Sequence, residues 1–290
     1  MTGRKRALLE LNLATLMFGF MGPLGKSISL TPLPITFWRA TSAALFLFLI
    51  GRRIKGHSSI KSRKDLLTFL AIAVFIALQS ILFFRSVQAS TVAIAVITIY
   101  TYPILMVFLE SWLFGGRIRL QDIGSAVMVL VGIFCITPER DFSNATFQGV
   151  VFGVLAGLTV PVIILTRRKF LVGRYTSWDI TAYEFGFVGL ILFPIMVFTK
   201  NFSPLPGPDN IVYLLFLGLF ATGLGRMLLV KSQVHLSGKT VGLTITLEVL
   251  YGIAFALVLL SEIPTQREML GGLIVLAVVL FETLRGRKEA

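Results

Sequence analysis

The feature that most limits how this chain can fold is the length of its apolar runs. Stretches of about twenty apolar residues alternate with short polar connections from end to end, and ~20 residues rising 1.5 Å each cross the ~30 Å hydrocarbon core of a bilayer. Composition agrees, since 56% of the 290 residues are hydrophobic, 14% are charged and the mean hydropathy is +0.87. Ten spans are read: Ala7–Ser29, Leu33–Ile50, Leu66–Phe84, Ser90–Phe114, Asp122–Thr137, Phe147–Thr166, Asp179–Thr199, Ile211–Val230, Thr240–Leu260 and Met269–Leu284. The third and fourth are divided at RSVQAS (Arg85–Ser90), mainly on the length of the run. Continuous apolar runs lack the in-out alternation of a transmembrane barrel. The expected fold is therefore an all-α integral membrane bundle of ten transmembrane helices.

Basic residues set orientation. With the N-terminus inside, twenty of the 27 lysines and arginines fall on one side of the bilayer, so both termini are expected in the cytoplasm. The net charge of +13 is then loop charge facing anionic headgroups, and its scatter over every inner connection argues against a nucleic-acid partner. The run after RKR is too long for a secretory signal and has no A-x-A-like cleavage site, so it is kept as the first helix. One cysteine, Cys135, excludes an intramolecular disulfide and reads as a small hydrophobe. NAT at Asn144 and NFS at Asn201 match the glycosylation acceptor pattern, which is permissive enough to arise by chance.

The chain also echoes itself. QDIGSAVMVLVGIF (Gln121–Phe134) closes the first half and EMLGGLIVLAVVLF (Glu268–Phe281) the second, 147 residues later. Five spans per half is an odd number, so a second half built like the first must sit upside down. Residues 1–141 and 142–290 are accordingly expected to be two inverted repeats with a substrate site between them near the midplane.

FGFMGPLGK, PITFWRATSAA, YPILMVFLESWLFGGRIRLQDIG and TLEVLYGIAFALVLLSEIPTQREMLGG, in that order, resemble the EamA-type members of the drug/metabolite transporter superfamily over nearly the whole chain. In that family the last motif usually reads Leu-Glu-Pro-Val, then some dozen residues, then Gly-Glu. Glu248 and Glu262 keep both acids at that separation, while Val249 stands where proline is common and Gly115 where the first repeat often has a glutamate. The resemblance implies a transporter fold and leaves the substrate open.

Glu248 has five uncharged residues before it and twelve after within Leu243–Leu260, and an intramembrane carboxylate is by default a functional candidate. It is expected either to face a central cavity, binding a cationic group or a coupling proton, or to fix the bundle by pairing with an arginine. Arg39 lies about six residues, ~9 Å, inside its helix, where a guanidinium either snorkels outward or clamps a substrate carboxylate. An arginine at this place also belongs to the family pattern. Lys26, nearer the outer end, is expected to snorkel. Glu184 and Arg226 sit at matched depth and are expected to pair, as a scaffold or a gate, with an Arg226–Glu248 pair as the alternative. Pro103 and Pro161 are expected to interrupt their helices, giving Tyr100 and Tyr102, with Gln79 and Tyr251, access to a substrate or to interhelical hydrogen bonds. Gly19, Gly22 and Gly25 are read as close-packing positions.

Two histidines, His57 and His235, form no metal cluster, and no H-E-x-x-H, G-x-S-x-G or P-loop pattern is present, so no cofactor, metal or ATP-driven step is expected. The expected function is secondary transport of a small organic metabolite across the cytoplasmic (inner) membrane by alternating access, with an amino acid or related amphipathic compound leading because Arg39 and Glu248 suit a zwitterion. The family resemblance implies export, and a proton is the candidate coupling ion. A membrane-embedded enzyme acting on lipid or isoprenoid headgroups is the alternative.

Overall fold

A computed structural model of the chain describes residues 3–54, 59–114, 118, 120–137, 141–199, 207–232, 235–236 and 238–285. His57, Gly115 and the Asn201 sequon lie outside the described residues. Everything regular within them is helical, and each of the ten apolar segments contains helix: α1 (Gly3–Gly19) and α2 (Met21–Ser27) form the first, α3 (Pro32–Ile54) the second, α4 (Arg63–Ala89) the third, α5 (Val92–Ile99) and α6 (Tyr102–Phe114) the fourth, and α7 (Leu120–Ile136) the fifth. The sixth and seventh are α8 (Ala145–Phe170) and α9 (Ser177–Phe198). The eighth joins α10 (Pro208–Leu215) to α11 (Gly225–Ser232) through a π-helical stretch, Phe216–Leu224; the ninth is α12 (Gly238–Ile245) with α13 (Leu247–Leu260), and the tenth α14 (Gln266–Arg285).

Six helical stretches among the described residues are long and apolar enough to cross a membrane: Arg4–Ser27, Pro32–Gly51, Arg63–Ala89, Ala145–Phe170, Ser177–Phe198 and Pro208–Ser232. Shorter apolar helices cover Val92–Met106, Leu120–Ile136 and Leu247–Leu260. Broad exposure of large apolar side chains such as Leu49, Leu190, Phe198 and Val258 fits a surface wetted by lipid.

Helix starts follow short-range chemistry. Ser62, Thr91, Asn144 and Thr176 each accept hydrogen bonds from the first-turn amides of α4, α5, α8 and α9, and Thr176 with Asp179 forms a capping box. The Asn144 side chain of the first sequon is thus the cap of α8. Pro161 lies inside α8 without ending it, and the fourth segment breaks at Tyr100 and Thr101, just before Pro103. The connection between α8 and α9 is pinned to the start of α4: Asp65, 1% exposed, accepts from the Tyr175 hydroxyl and from Arg174 Nη1, both at 2.8 Å. Burial raises the Tyr175 hydroxyl above its ordinary pKa, which keeps it a donor.

Small residues set the closest seams. Gly149, Gly153 and Gly157 of α8 lie one turn apart, and a Cβ on each would come within 2.0 Å of Ser90 Oγ, 1.9 Å of Thr98 Oγ1 and 2.7 Å of Thr101 Oγ1, respectively. At the α7–α14 crossing a Cβ on Gly271 would lie 2.5 Å from the Gly132 carbonyl oxygen. Gly19, Gly22 and Gly25 are also packing positions, against Tyr251, Val92 and Phe84.

Candidate functional site

Two of the ten segments are broken where they pass each other. The fourth stops at Ile99 and restarts at Tyr102; the ninth stops at Ile245 and restarts at Leu247. Such breaks leave backbone groups without helical partners, a cost that is tolerated at membrane depth only against protein or a wet cavity. Tyr100, 2% exposed, spans the two breaks: its hydroxyl lies 2.6 Å from the Ile245 carbonyl oxygen and 3.1 Å from Glu248 Oε2. A phenol carries one proton, so Tyr100 serves only one of these acceptors at a time. Both contacts are made together when Glu248 is protonated and donates to the phenolic oxygen. Glu248 itself occupies the first turn of α13. The structure thus leaves the carboxyl two hydrogen-bonded states.

Arg39 does not snorkel. It is 4% exposed, donates from Nη1 to Thr222 Oγ1 at 3.0 Å and from Nη2 to Ser80 Oγ at 2.6 Å, and lies near the Phe84 and Phe185 rings. Thr222 comes from the π-helical stretch, a distortion frequent at functional sites. The Nε of Arg39 is buried without a hydrogen-bond partner, as is Thr101 Oγ1 at the break of the fourth segment. No carboxylate among the described residues lies within ion-pair distance of Arg39.

Arg226 is not the partner of Glu184. Arg167 on α8 takes that place with a two-pronged pair, Nε to Oε1 and Nη2 to Oε2 at 2.8 Å each, because a guanidinium fork on the neighbouring helix matches the carboxylate better than a more distant one. Arg226 is left near the Phe18 ring, within electrostatic reach of Glu184, Glu248, Arg167 and Arg39 and in contact with neither glutamate. The Arg226–Glu248 alternative likewise does not form as a direct pair. Tyr102 lies against Tyr100, with ring centroids 5.5 Å apart and the rings tilted by 54°. Tyr251 packs on Gly19 and Phe255, while Gln79 makes no hydrogen bond among the described residues. The residue after it, Ser80, holds Arg39.

The end of the first segment remote from the N-terminus carries a second cluster. Lys26 Nζ donates to Glu262 and to the Ser90 carbonyl, and Glu262 Oε2 accepts from the Val92 amide at 3.0 Å. Thr91 donates to Glu268, which also accepts from the Thr265 amide. Ser261, at φ 55°, ends α13 in the left-handed conformation usually left to glycine and turns Glu262 back over the latch. None of this is legible in the sequence, where Lys26 is expected at the headgroups and Glu262 stands out only by its separation from Glu248. Beneath the latch, Thr91, Ala93, Ile253, Ala256 and Pro264 line a cleft. On this side α5 packs along α13, whereas no comparable seam joins α6 to α12 among the described residues.

Among the described residues no group of three metal-ligating side chains comes together. The model of the EamA-like transporter family matches this sequence twice, at residues 6–137 and 147–283. The chain belongs to the EamA-like transporter family. Proteins similar to it include the "Uncharacterized transporter YxxF" of Bacillus subtilis, 22% identical over 99% of this chain and 92% of that one. The pseudopaline exporter CntI of Pseudomonas aeruginosa is 24% identical over 97% of this chain and 98% of its own. The inner membrane transporter YicL of Salmonella typhimurium is 23% identical over the full length of this chain and 99% of its own. A crystal structure of a protein 16% identical in sequence superposes with a TM-score of 0.69 over 99% of this chain and all of that one, showing a shared fold. In this EamA-like chain Tyr100, Tyr102 and Glu248 thus meet at the broken segments and Arg226 lies within electrostatic reach of both Glu248 and Arg39, while Tyr251 packs on Gly19 and Glu184 is engaged by Arg167.

Proposed function

We propose that the chain is a secondary transporter that moves a small organic metabolite, an amino acid or related amphipathic compound, outward across the cytoplasmic membrane by alternating access. Ten membrane crossings, with both termini cytoplasmic, are arranged as inverted halves at residues 1–141 and 142–290. The observation that carries this reading is the meeting of two broken segments at Tyr100 and Glu248. The 147-residue displacement relating the two halves in sequence takes Tyr100 to Leu247, beside the break in the ninth segment, so the interruptions occupy corresponding positions. Matched interruptions of this kind mark a substrate site between repeats.

Packing supports the same symmetry. The third segment packs on the sixth as the eighth does on the first; the fourth packs on the sixth as the ninth does on the first; and the second with the seventh, the fifth with the tenth and the fourth with the ninth are self-matched pairs. The Lys26–Glu262 latch joins segments of different halves and so acts as a gate, closed here on the side away from the termini. Arg167–Glu184 joins two segments of the same half and acts as scaffold. The two hydrogen-bonded states of Glu248 suit a coupling proton. The test is counterflow in liposomes holding the full chain and preloaded with an amino-acid mixture: saturable accumulation of labelled substrate, lost in Glu248→Gln, is expected. Flux that rises linearly with concentration, or no flux of any compound, refutes the reading.

A further inference from the structure

The charges of the central site do not balance. Arg226 lies within electrostatic reach of Arg39, Arg167, Glu184 and Glu248 there. The forked Arg167–Glu184 pair is internally neutral. What remains is Arg226, with the Arg39 guanidinium and the Glu248 carboxyl each within its electrostatic reach, and that carboxyl is hydrogen-bonded to Tyr100 rather than to either arginine. Neither arginine touches a carboxylate among the described residues: Arg39 is held by two neutral hydroxyls with its Nε unpartnered, and Arg226 lies against the Phe18 ring. Burying a cation such as Arg39 without a counter-charge is costly, and the half-buried Arg226 within electrostatic reach adds repulsion to that cost.

We propose that the missing counter-charge is the substrate, a small organic anion held through its oxyanion group by Arg39 and Arg226. This rests on the transporter reading above and replaces its zwitterion with a net anion, an acidic amino acid among them. With Glu248 ionised, the three groups carry a net charge of +1, which a substrate of net charge −1 neutralises and a zwitterion does not. With Glu248 protonated, the excess is +2, and the demand for an anion grows. The charge of the preferred substrate is negative in both states, so proton uptake at Glu248 favours anion binding and proton loss favours release. A zwitterionic amino acid leaves the excess in place, and a cationic drug enlarges it. Carboxylates and phosphate esters share the geometry a guanidinium fork recognises, and both belong to this class.

The experiment is thermal unfolding of the purified full-length chain against four pools of probes at equal millimolar concentration: acidic amino acids with di- and tricarboxylates, sugar phosphates, neutral amino acids, and polyamines with basic amino acids. A ligand of the folded state raises the Tm according to its concentration relative to Kd. The expected result is a raised Tm with one of the two anionic pools, the responding pool telling carboxylate from phosphate. Arg39→Gln and Arg226→Gln are each expected to need about tenfold or more of that pool for the same shift, since each leaves the anion facing one guanidinium. Arg226→Gln serves if Arg39→Gln fails to fold, because Arg226 makes fewer bonds. Stabilisation by only the neutral or basic pool overturns the anion proposal while leaving a transporter. Equal response of wild type and both folded variants overturns it as well. Stabilisation by no pool also overturns it, and the counterflow assay then separately decides whether the transporter reading falls with it.

Discussion

Replacing Glu262 by glutamine removes charge from the latch and keeps its shape. Three contacts depend on that carboxylate and its partner: the ion pair with Lys26, the Lys26 donation to the Ser90 carbonyl, and the Val92 amide donation to Glu262. The two side chains are 27% and 20% exposed, so water screens the pair in part. A charge-assisted hydrogen bond contributes about 1.5–3 kcal/mol when buried, and an exposed ion pair about 0–1 kcal/mol. Glutamine still accepts a neutral hydrogen bond, so the loss works out at about 1–2 kcal/mol, or about 5–30-fold in the closed-to-open ratio. The reporter is Ala256→Cys, buried in the cleft beneath the latch, in a Cys135→Ser background. Labelling by a membrane-impermeant maleimide added from the Lys26 side is expected to quicken by that factor in Glu262→Gln, and similarly in Lys26→Met. If both variants remain folded and label within twofold of the parent, the latch is not a gate.

Four other outcomes follow from the same geometry. Glu184→Gln leaves Arg167 buried beside a neutral group and is expected to cost about 3–5 kcal/mol, whereas Arg167→Met with Glu184→Leu recovers most of it; chemical unfolding in detergent reads both. Gly271→Ala pushes a methyl group against the Gly132 carbonyl oxygen and is expected to cost about 1–3 kcal/mol, while Gly124→Ala, which meets open space, is expected to be neutral or slightly stabilising. Ser261→Gly relieves the left-handed position before Glu262 and is expected to add up to about 1 kcal/mol of stability, with latch labelling unchanged. Tyr100→Phe removes the donor between the two breaks, so counterflow is expected to fall at least tenfold with a smaller change in Tm; full activity in this variant would sink the assignment of the central site.

Much of the fold was legible because apolar run length is a one-dimensional signal. All ten apolar segments contain helix, but Arg85–Ala89 of RSVQAS continues α4, and the break to α5 comes only at Ser90 and Thr91. The breaks were partly legible: Pro103 announced the interruption near Tyr100, but nothing comparable marks Thr246, and Pro161 sits within an unbroken α8. Pairings were the least legible, because charge and depth do not reveal which way a helix faces. Glu184 and Arg226 share a depth, yet Arg167 on the neighbouring helix reaches the carboxylate first. Gln79 and Ser80 differ by one residue, about 100° of helical turn, and that turn puts Ser80 on Arg39. Lys26 looked like a surface cation until the α13–α14 connection was folded over it.

The two interruptions also make levers of the half-helices they create. An unbroken helix resists bending along its whole length, whereas the interruptions at Tyr100–Thr101 and Thr246 offer points where bending would cost least and leave each arm stiff. The arm α13, 14 residues long, extends about 21 Å from its pivot, so a tilt of about 10° carries its far end through about 4 Å. That travel is enough to part Glu262 from Lys26, because a hydrogen bond is lost within about 1 Å of stretching. Near the pivot, Glu248 and Tyr100 would hardly move, so a passage can open at the surface while the geometry at its centre is kept.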